Sequence, residues 1–394
     1  MIYLLTLASL IAFAAPSAEA PRFEAEQIFP PVEPQTHAPA IVECPNGDLL
    51  ASWYADSRPG DSAILGARKR QGEPSWSEPF AMADRPGFPD GNTCMMVDPR
   101  GKLWLFWPTI VGGSWESALM NYKIATDFAQ PGPPKWDRQD VLLLKPADFK
   151  TDVLKKLGNR RLRAPRGAIG GRQARQEPKL DDALYHRLGW ANRCKPTVLP
   201  SGRILLPLYT DTFSIAIMAV SDDGGATWSA SEPLIGPENI QPTVLRRDDG
   251  TLVALMRDAG ATGRIRVCES KDDGLTWGDV SGSELPNPGS GIDAVRLANG
   301  HWLLVYNDSP SSRATLAVSI SDDEGRSWSQ IRHLEAHKGG RYHYPSVIQG
   351  RDGTIHAVYS TFIAPEDHGK PGSKATLKVI KHAAFNEAWV RAGD

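Results

Sequence analysis

Short runs of alternating apolar and polar residues, separated by glycine-containing turns, occur along most of the chain. Six of these turns place a polar residue and a glycine directly before an apolar run, and their glycines are Gly47, Gly101, Gly202, Gly250, Gly300 and Gly353. Asn-Gly and Asp-Gly between alternating apolar runs are strong short-range signals for a β-hairpin. The glycines lie 54, 101, 48, 50 and 53 residues apart. The pattern therefore predicts regularly repeated hairpins, with one interval of nearly double length.

A second motif, S-x-D-x-G-x-[ST]-W, interleaves with the hairpins. Its copies begin at Ser221, Ser270 and Ser321, which are 49 and 51 residues apart. We expect the Asp to accept backbone N–H bonds in a tight turn, the Gly to supply a positive φ and the Trp to pack against the sheet. The motif lacks the ligand spacing and the final Glu of an EF-hand loop, so it does not predict a calcium site.

The double-length interval contains an insertion at about residues 131–189, where the strand alternation disappears. Residues 148–157 and 179–188 have helical spacing, and a stretch rich in Arg and Gly lies between them at 158–175. Two interpretations of the basic stretch are open: it contacts an anionic polymer, or it is a solvated loop. The sequence thus predicts a partly helical insertion between two of the hairpin repeats.

The repeats predict an all-β fold, a six-bladed β-propeller with four-stranded blades. The propeller is expected to occupy residues 21–394 as a single domain around the insertion. We expect a C-terminal strand at 376–382 to share its sheet with residues 23–29, which would close the ring and remove an exposed edge.

Composition narrows the possible functions. Of the 394 residues, 36 are Gly, 32 are Pro and 12 are Trp, a mixture that suits many turns and pleated surfaces. The 44 Lys and Arg residues balance 46 Asp and Glu residues, for a net charge of −2. Phosphate binding normally needs a clear basic excess, so the balance argues against a nucleic-acid partner.

Residues 1–20 have the features of a secretory signal peptide. An apolar run too short to span a membrane comfortably is followed by small residues, although no Lys or Arg precedes it. No other stretch is long and apolar enough for a membrane span. We therefore expect a secreted or periplasmic protein.

The four cysteines do not form a metal-binding pattern. They are Cys44, Cys94, Cys194 and Cys268, with no C-x-x-C pair and no close His. This spacing offers no zinc site, and we expect no metal and no cofactor. In an exported chain the cysteines either form disulfides or remain buried free thiols.

Each repeat places a polar residue just before its innermost strand. These residues are His37, Asn92, Lys195, Gln241, Asp293 and Tyr344. Propeller ligands bind around the central axis, where the innermost strands begin. A buried ring of unlike polar groups needs partners or a ligand. The ring predicts a polar pocket in which Asn92, Lys195 and Asp293 contact the ligand; alternatively, its members satisfy one another and ordered water.

With these repeats, the chain resembles the sialidase (neuraminidase) superfamily, in particular its bacterial branch with BNR, or Asp-box, repeats. The segments that carry the resemblance are 37–42, 240–244, 255–258, 285–290, 305–308 with Arg313, and 342–349. The similarity covers nearly the whole mature chain outside the insertion. It implies a propeller fold and an exo-acting glycosidase whose substrate is a glycan with an acidic sugar.

The resemblance also implies roles for particular residues. In this family an arginine triad grips the substrate carboxylate, and Arg257 and Arg313 match its second and third members. Arginine suits this task because its planar fork pairs bidentately with a carboxylate. Tyr344 matches the nucleophile, for which a neutral phenol suits an anionic sugar. Asp61 falls at the acid/base position, with Asp56 as a rival.

Two departures from the family pattern leave the reaction open. His37-Ala38-Pro39 stands in place of an Arg-Ile-Pro motif, and Gln241 in place of the Glu that deprotonates the tyrosine. The leading expectation is a retaining sialidase-type hydrolase in which Tyr344 attacks and Asp61 protonates the leaving oxygen. The alternatives are a uronate-directed lyase or rhamnosidase that uses His37 as a base, and a non-catalytic glycan-binding propeller.

Overall fold

The computed structural model describes residues 19–161, 179–367 and 374–394. Nearly all of the predicted signal peptide at 1–20 and most of the basic stretch at 158–175 lie outside this part of the chain. The described strands form six antiparallel sheets arranged as the blades of a propeller, so the predicted fold class is confirmed.

Strands are numbered in chain order, and the first of them, β1 (Phe23–Gln27), belongs to the last blade. Blade 1 comprises β2 (Thr36–Glu43), β3 (Leu49–Arg58), β4 (Asp61–Lys69) and β5 (Phe80–Ala83). Blade 2 comprises β6 (Cys94–Val97), β7 (Leu103–Ile110), β8 (Ala118–Ala125) and β9 (Arg138–Val141). Blade 3 comprises β10 (Ala191–Asn192), β11 (Thr197–Val198), β12 (Ile204–Thr210), β13 (Ile215–Ser221) and β14 (Ser229–Ala230).

The remaining blades follow the same meander from the axis outwards. Blade 4 comprises β15 (Asn239–Arg246), β16 (Leu252–Asp258), β17 (Arg264–Ser270) and β18 (Ser281–Pro286). Blade 5 comprises β19 (Asp293–Arg296), β20 (Trp302–Tyr306), β21 (Thr315–Ser321) and β22 (Ser329–Ala336). Blade 6 comprises β23 (Arg341–Gln349), β24 (Ile355–Ile363), β25 (Leu377–Phe385) and β1.

The two ends of the chain close the ring, as the sequence predicts. β1 pairs with β25 in an antiparallel register from Phe23 opposite Phe385 to Gln27 opposite Lys381. Asn386 then caps the short helix α3 (Glu387–Arg391) by accepting from the backbone N–H of Trp389. The N-terminal strand therefore covers the outer edge of β25 in blade 6.

The insertion contains two further helices, α1 (Phe149–Arg161) and α2 (Ala183–Arg187), close to the predicted helical segments. Phe149 of α1 lies 5.5 Å from Phe213 between ring centroids, so the insertion packs against blade 3. Its predicted start at residue 131 is too early, because β9 lies inside the predicted range and is the outer strand of blade 2. β9 is exposed and lacks apolar alternation, which is why its sequence does not indicate a strand. Among the described residues, no helix is long and apolar enough to cross a membrane.

The S-x-D-x-G-x-[ST]-W turns have the predicted structural role. Asp223 accepts from the backbone N–H of Thr227 at 2.9 Å and from its hydroxyl at 2.6 Å. Gly225 has φ +85°, and its backbone lies so close to Trp104 of blade 2 that a Cβ would be 2.1 Å from the indole. Trp228 packs edge-on against the same indole, with ring centroids 6.4 Å apart. The turn therefore joins two neighbouring blades.

All four cysteines are buried thiols that form no disulfide, which selects the buried-thiol interpretation over disulfides. Burial raises the pKa of Cys44 to about 11 and that of Cys94 to about 12, so these thiols are protonated near neutral pH. They act as small apolar groups in the blades.

Candidate active site on the propeller axis

Three innermost strands share an irregularity at the same end of the axis. In β2, β15 and β23 the register shifts by one residue at an X-Pro step, where Ala38, Gln241 and Tyr344 precede proline. Their φ angles are +52°, +55° and +50°. A β-bulge re-aims side chains, and a non-glycine residue at positive φ persists only where its surroundings hold it. The bulges thus set up a strained site around Tyr344.

Tyr344 lies among cationic groups from several blades. Nη1 of Arg257 donates to the Tyr344 hydroxyl at 3.1 Å and to Oε1 of Gln241 at 3.3 Å. Burial raises the pKa of Tyr344, but the charge of Arg257, a hydrogen bond from Gln241 and the charges of Arg313 and Arg193 outweigh it, so the pKa falls below the ordinary value. The surroundings therefore stabilise the phenolate of Tyr344 relative to that of a tyrosine in water.

Arg257 and Arg313 are half-buried and have no carboxylate partner among the described residues. The end of β16 places Arg257, and Asp258 after it anchors the next turn by accepting from the backbone N–H groups of Gly260 and Gly263 at 3.0 and 2.8 Å. Arg313 donates to the carbonyl of Gly289 at 2.6 Å. Buried charge without a counter-ion is costly, so the pair is poised for an anion.

His37 and His343 occupy equivalent positions in adjacent blades, two residues before a proline. Their rings lie 5.3 Å apart, and the His37 ring is 4.6 Å from that of Tyr344. Burial first, and then neighbouring His343 and arginines, hold the pKa of His37 well below its usual range. Burial and Arg313 lower the pKa of His343 to about 3. Both imidazoles are therefore neutral near pH 7.

The hydrogen bonds of these imidazoles leave two polar atoms unsatisfied. Arg313 donates to Nδ1 of His343 at 2.6 Å, so the ring proton of His343 resides on Nε2. Nε2 of His343 and Nδ1 of His37 are buried and have no hydrogen-bond partner in the described structure. Buried polar atoms normally find a partner, and these two offer hydrogen bonds to a ligand beside Tyr344.

Asp61 begins β4 at the hairpin on the same end of blade 1. Its carboxylate accepts from Nε of Arg58 at 3.1 Å and from the backbone N–H of Gly87 at 3.0 Å. Burial raises the pKa of Asp61, but these hydrogen bonds lower it overall, so the group is ionised. The rival Asp56 is exposed and accepts from the backbone N–H of Gln35 at 2.8 Å. The hydrogen bonds of the two carboxylates do not reach Tyr344.

Lys195 and Asp293 pair with each other. Nζ of Lys195 donates to Asp293 at 2.7 Å, and Thr243 donates to the other carboxylate oxygen at 2.9 Å. Thr243 lies two residues beyond Gln241 along β15, so this ion pair lies deeper in the channel than the Tyr344 hydroxyl. These two members of the predicted ring thus satisfy one another.

Asn92 remains at the level of the site, where its Nδ2 donates to the Tyr209 hydroxyl at 2.9 Å. Burial, followed by the charges of Asp211 and Tyr344, raises the pKa of Tyr209, so its phenol stays protonated.

Of the predicted residues, the structure brings His37, Gln241, Arg257, Arg313 and Tyr344 together, and His343 lies with them.

Sequence reasoning missed two residues at the centre of the site. His343 was available from a comparison of the two proline steps, because His-Tyr-Pro in blade 6 matches His-Ala-Pro in blade 1. Arg193 has no such signal. It lies two residues before Lys195, in a break of the inner strand between β10 and β11 that the sequence pattern does not mark.

Comparisons with known proteins agree with the propeller fold. Residues 185–357 match the family of BNR repeat-like domains. A sialidase from Micromonospora viridifaciens is 26% identical over 384 residues, which are 91% of this chain and 52% of that protein. The chain thus spans about half the length of the curated relative it matches.

Two solved structures show the same fold at low sequence identity. A protein of unknown function from Dyadobacter fermentans has a TM-score of 0.67 at 16% identity, covering 92% of this chain and 98% of that one. The intramolecular trans-sialidase from Ruminococcus gnavus, in complex with oseltamivir carboxylate, has a TM-score of 0.64 at 11% identity, covering 91% and 95%.

Proposed function

We propose that this chain, which is similar to sialidase-like BNR-repeat proteins, is a glycoside hydrolase that releases a terminal carboxylate-bearing sugar from a glycan. The observation that carries the proposal is the convergence of Arg257 and Arg313, with no carboxylate partner among the described residues, beside the Tyr344 hydroxyl. Two planar guanidinium groups provide the donors that a sugar carboxylate pairs with. Export, which rests only on residues 1–20, is part of the same proposal.

In the proposed reaction the Tyr344 phenolate attacks the anomeric carbon. An O–C bond forms while the glycosidic C–O bond breaks, and the leaving oxygen takes a proton from Asp61. Water then displaces the tyrosine, returning the sugar with its original configuration and a proton to Asp61. Since Asp61 is ionised beside Arg58 in the free protein, it must take up its proton when substrate enters.

The replacement of Glu by Gln241 changes how the tyrosine loses its proton. An amide cannot act as a base, so the phenol proton passes to solvent, and the arginines make this loss easier by lowering the pKa of Tyr344. Gln241 keeps a positioning role through its hydrogen bond with Arg257 at 3.3 Å.

A second candidate, a uronate-directed lyase, is favoured by one observation. His37 is neutral and has an unsatisfied Nδ1, and its ring lies 4.6 Å from that of Tyr344. A uronate held by Arg257 and Arg313 would lose the proton α to its carboxylate to His37, while the C–O bond to the neighbouring sugar at the adjacent carbon breaks. The departing oxygen would take a proton from Tyr344, and a C=C bond would remain in the uronate. The depressed pKa of His37 makes it a weak base, which is why the hydrolase comes first.

One substrate panel separates the candidates. The purified protein is incubated with sialyl, rhamnosyl and uronate-linked glycans, and free sugar and ultraviolet absorbance are followed. Free sialic acid or another acidic sugar without absorbance supports the hydrolase, and an absorbing unsaturated product supports the lyase. Binding without turnover on the whole panel refutes both and leaves a glycan-binding propeller.

Variants then test the site itself. Tyr344→Phe should lower kcat by a factor on the order of 10² or more, because the nucleophile is lost. His37→Ala should impair the lyase more strongly than the hydrolase. Tyr185→Phe, in helix α2 of the insertion, is the matched control and should retain activity. Activity that survives both site substitutions would show that the site assignment is wrong.

A further inference from the structure

The innermost strand of blade 3 is interrupted more widely than those of blades 1, 4 and 6. β10 ends where Asn192 pairs with Leu208, and β11 resumes where Thr197 pairs with Leu205. Four residues, 193–196, therefore face two on β12, whereas the bulges of β2, β15 and β23 place two residues opposite one. Arg193 is the first residue of this break.

The side chain of Arg193 reaches across the propeller axis. Its Nη1 donates to the carbonyl of Pro39 at 3.3 Å, and Nη2 donates to the carbonyls of Pro345, at 2.8 Å, and Tyr344. Blade 3 lies opposite blade 6 in a six-membered ring, so the side chain connects opposite walls of the channel. All three acceptors belong to the X-Pro steps of β2 and β23.

Arg193 also places a charge under the phenol ring. Its guanidinium carbon lies 5.1 Å from the centroid of the Tyr344 ring, and only 1% of the residue is exposed. No carboxylate among the described residues pairs with it. Since its hydrogen bonds go to backbone carbonyls and it is buried, Arg193 acts through Tyr344 and leaves substrate contact to Arg257 and Arg313.

We propose that Arg193 is a positioning residue that holds Tyr344 in its left-handed backbone conformation and stabilises the phenolate of Tyr344. This inference rests on the proposed function, because the charge of Arg193 helps Tyr344 to lose its proton where Gln241 cannot act as a base. The bonds to the carbonyls of Tyr344 and Pro345 hold the strained proline step of β23, and the bond to the carbonyl of Pro39 ties it to the step in β2. The cation favours the negative charge on the ring oxygen. Three guanidinium groups then surround one tyrosine, and two of them remain for the substrate anion.

The test measures the titration of Tyr344 directly. The phenolate absorbance of the protein is titrated with pH, and the titration of Tyr344→Phe is subtracted to isolate this residue. Arg193→Met should move the Tyr344 titration to higher pH, because the charge and the carbonyl bonds are lost together. Arg193→Lys keeps the charge but cannot bond all three carbonyls in the same plane, so it should produce a smaller shift.

A control separates positioning from general stability. Arg68 of blade 1 is also buried, and it donates a hydrogen bond to the backbone carbonyl of Phe128 at 2.6 Å. Arg68→Met should lower the melting temperature and leave the Tyr344 titration unchanged. On an active substrate, Arg193→Met should lower kcat about tenfold or more with little change in KM, which indicates loss of an interaction made in the transition state.

The outcomes distinguish this inference from the proposed function. If the Arg193→Met titration is shifted but the wild-type protein has no glycosidase activity, the role of Arg193 is supported and the proposed hydrolase function is refuted. A wild-type titration in a folded Arg193→Met variant overturns the role of Arg193. Should that variant fail to fold, Arg193→Lys decides, and an unshifted titration there overturns the inference equally.

Discussion

Gly291 provides a test of where the Tyr344 ring lies. It precedes β19 in blade 5, and a Cβ added there would lie 2.5 Å from Cδ1 and 3.0 Å from Cε1 of Tyr344, and 3.3 Å from Oε1 of Gln241. Ordinary carbon contacts begin near 3.4 Å, so the ring must retreat by about 0.9 Å in Gly291→Ala.

The size of the expected effect follows from that displacement. A misplacement of about 1 Å at a reacting group costs on the order of 10²-fold in rate, and overpacking costs about 1–3 kcal/mol of stability. We therefore expect Gly291→Ala to lose about two orders of magnitude in kcat/KM while remaining folded. The Tyr344 titration should also change, because the ring moves relative to Arg193 and Arg257.

Gly282→Ala in β18 is the matched control, since the atoms nearest to its added Cβ are 3.8 Å away. Both variants are compared with the wild-type protein by thermal melting, by the Tyr344 titration and by kcat/KM on the substrate that the panel identifies. A Gly291→Ala variant with wild-type kcat/KM and titration would refute the packing of Tyr344 against blade 5 or its part in the reaction.

Two further predictions concern charge. Arg257→Met removes a charged hydrogen bond of 3.1 Å to Tyr344, a contribution of about 1.5–3 kcal/mol, and should lower kcat/KM roughly 10- to 150-fold; equal losses in Arg326→Met, in an exposed turn, would contradict a local cause. Burial lowers the pKa of His356, which bonds His382 at 3.1 Å, from 6.5 to about 3. The unfolded chain therefore binds more protons, and His356 alone should lower the stability by about 1.4 kcal/mol per pH unit as the pH drops below 6.5. Denaturant melts at several pH values should show a shallower slope for His356→Gln, and an unchanged slope would exclude this pair as the cause.

Local sequence signals were sufficient for the repeating units. The turn that holds Asp223 and Gly225 depends on bonds between residues a few positions apart, and its chemistry is readable in the motif. The exposed outer strand β9 was missed because an edge strand of a blade needs no apolar alternation. Turn motifs and apolar alternation therefore predict the number of blades more accurately than the first and last residue of each blade.

The candidate site divides in the same way. The family resemblance identified Tyr344, Arg257 and Arg313, and the structure brings them together. The rule of one polar residue per inner strand also selected Lys195 and Asp293, which instead form an ion pair deeper in the channel. The position of a residue along a strand predicts its depth along the propeller axis only where the strand is regular. A β-bulge adds a residue and so changes that depth.

By itself, the sequence determined the repeat, the ring closure between the first and last strands and the residue types that the axis receives. The repeat and the residue types follow from hydrophobic period and turn chemistry, which act between near neighbours in the chain, and the ring closure follows from the need to cover an exposed strand edge. The tertiary structure alone decided that Arg193 of blade 3 lies under Tyr344 of blade 6, 151 positions away, and that Arg257 and Arg313 meet without a carboxylate partner among the described residues. The reason is physical: the charge felt by a buried side chain depends on distance in space, and only closure of the ring sets those distances.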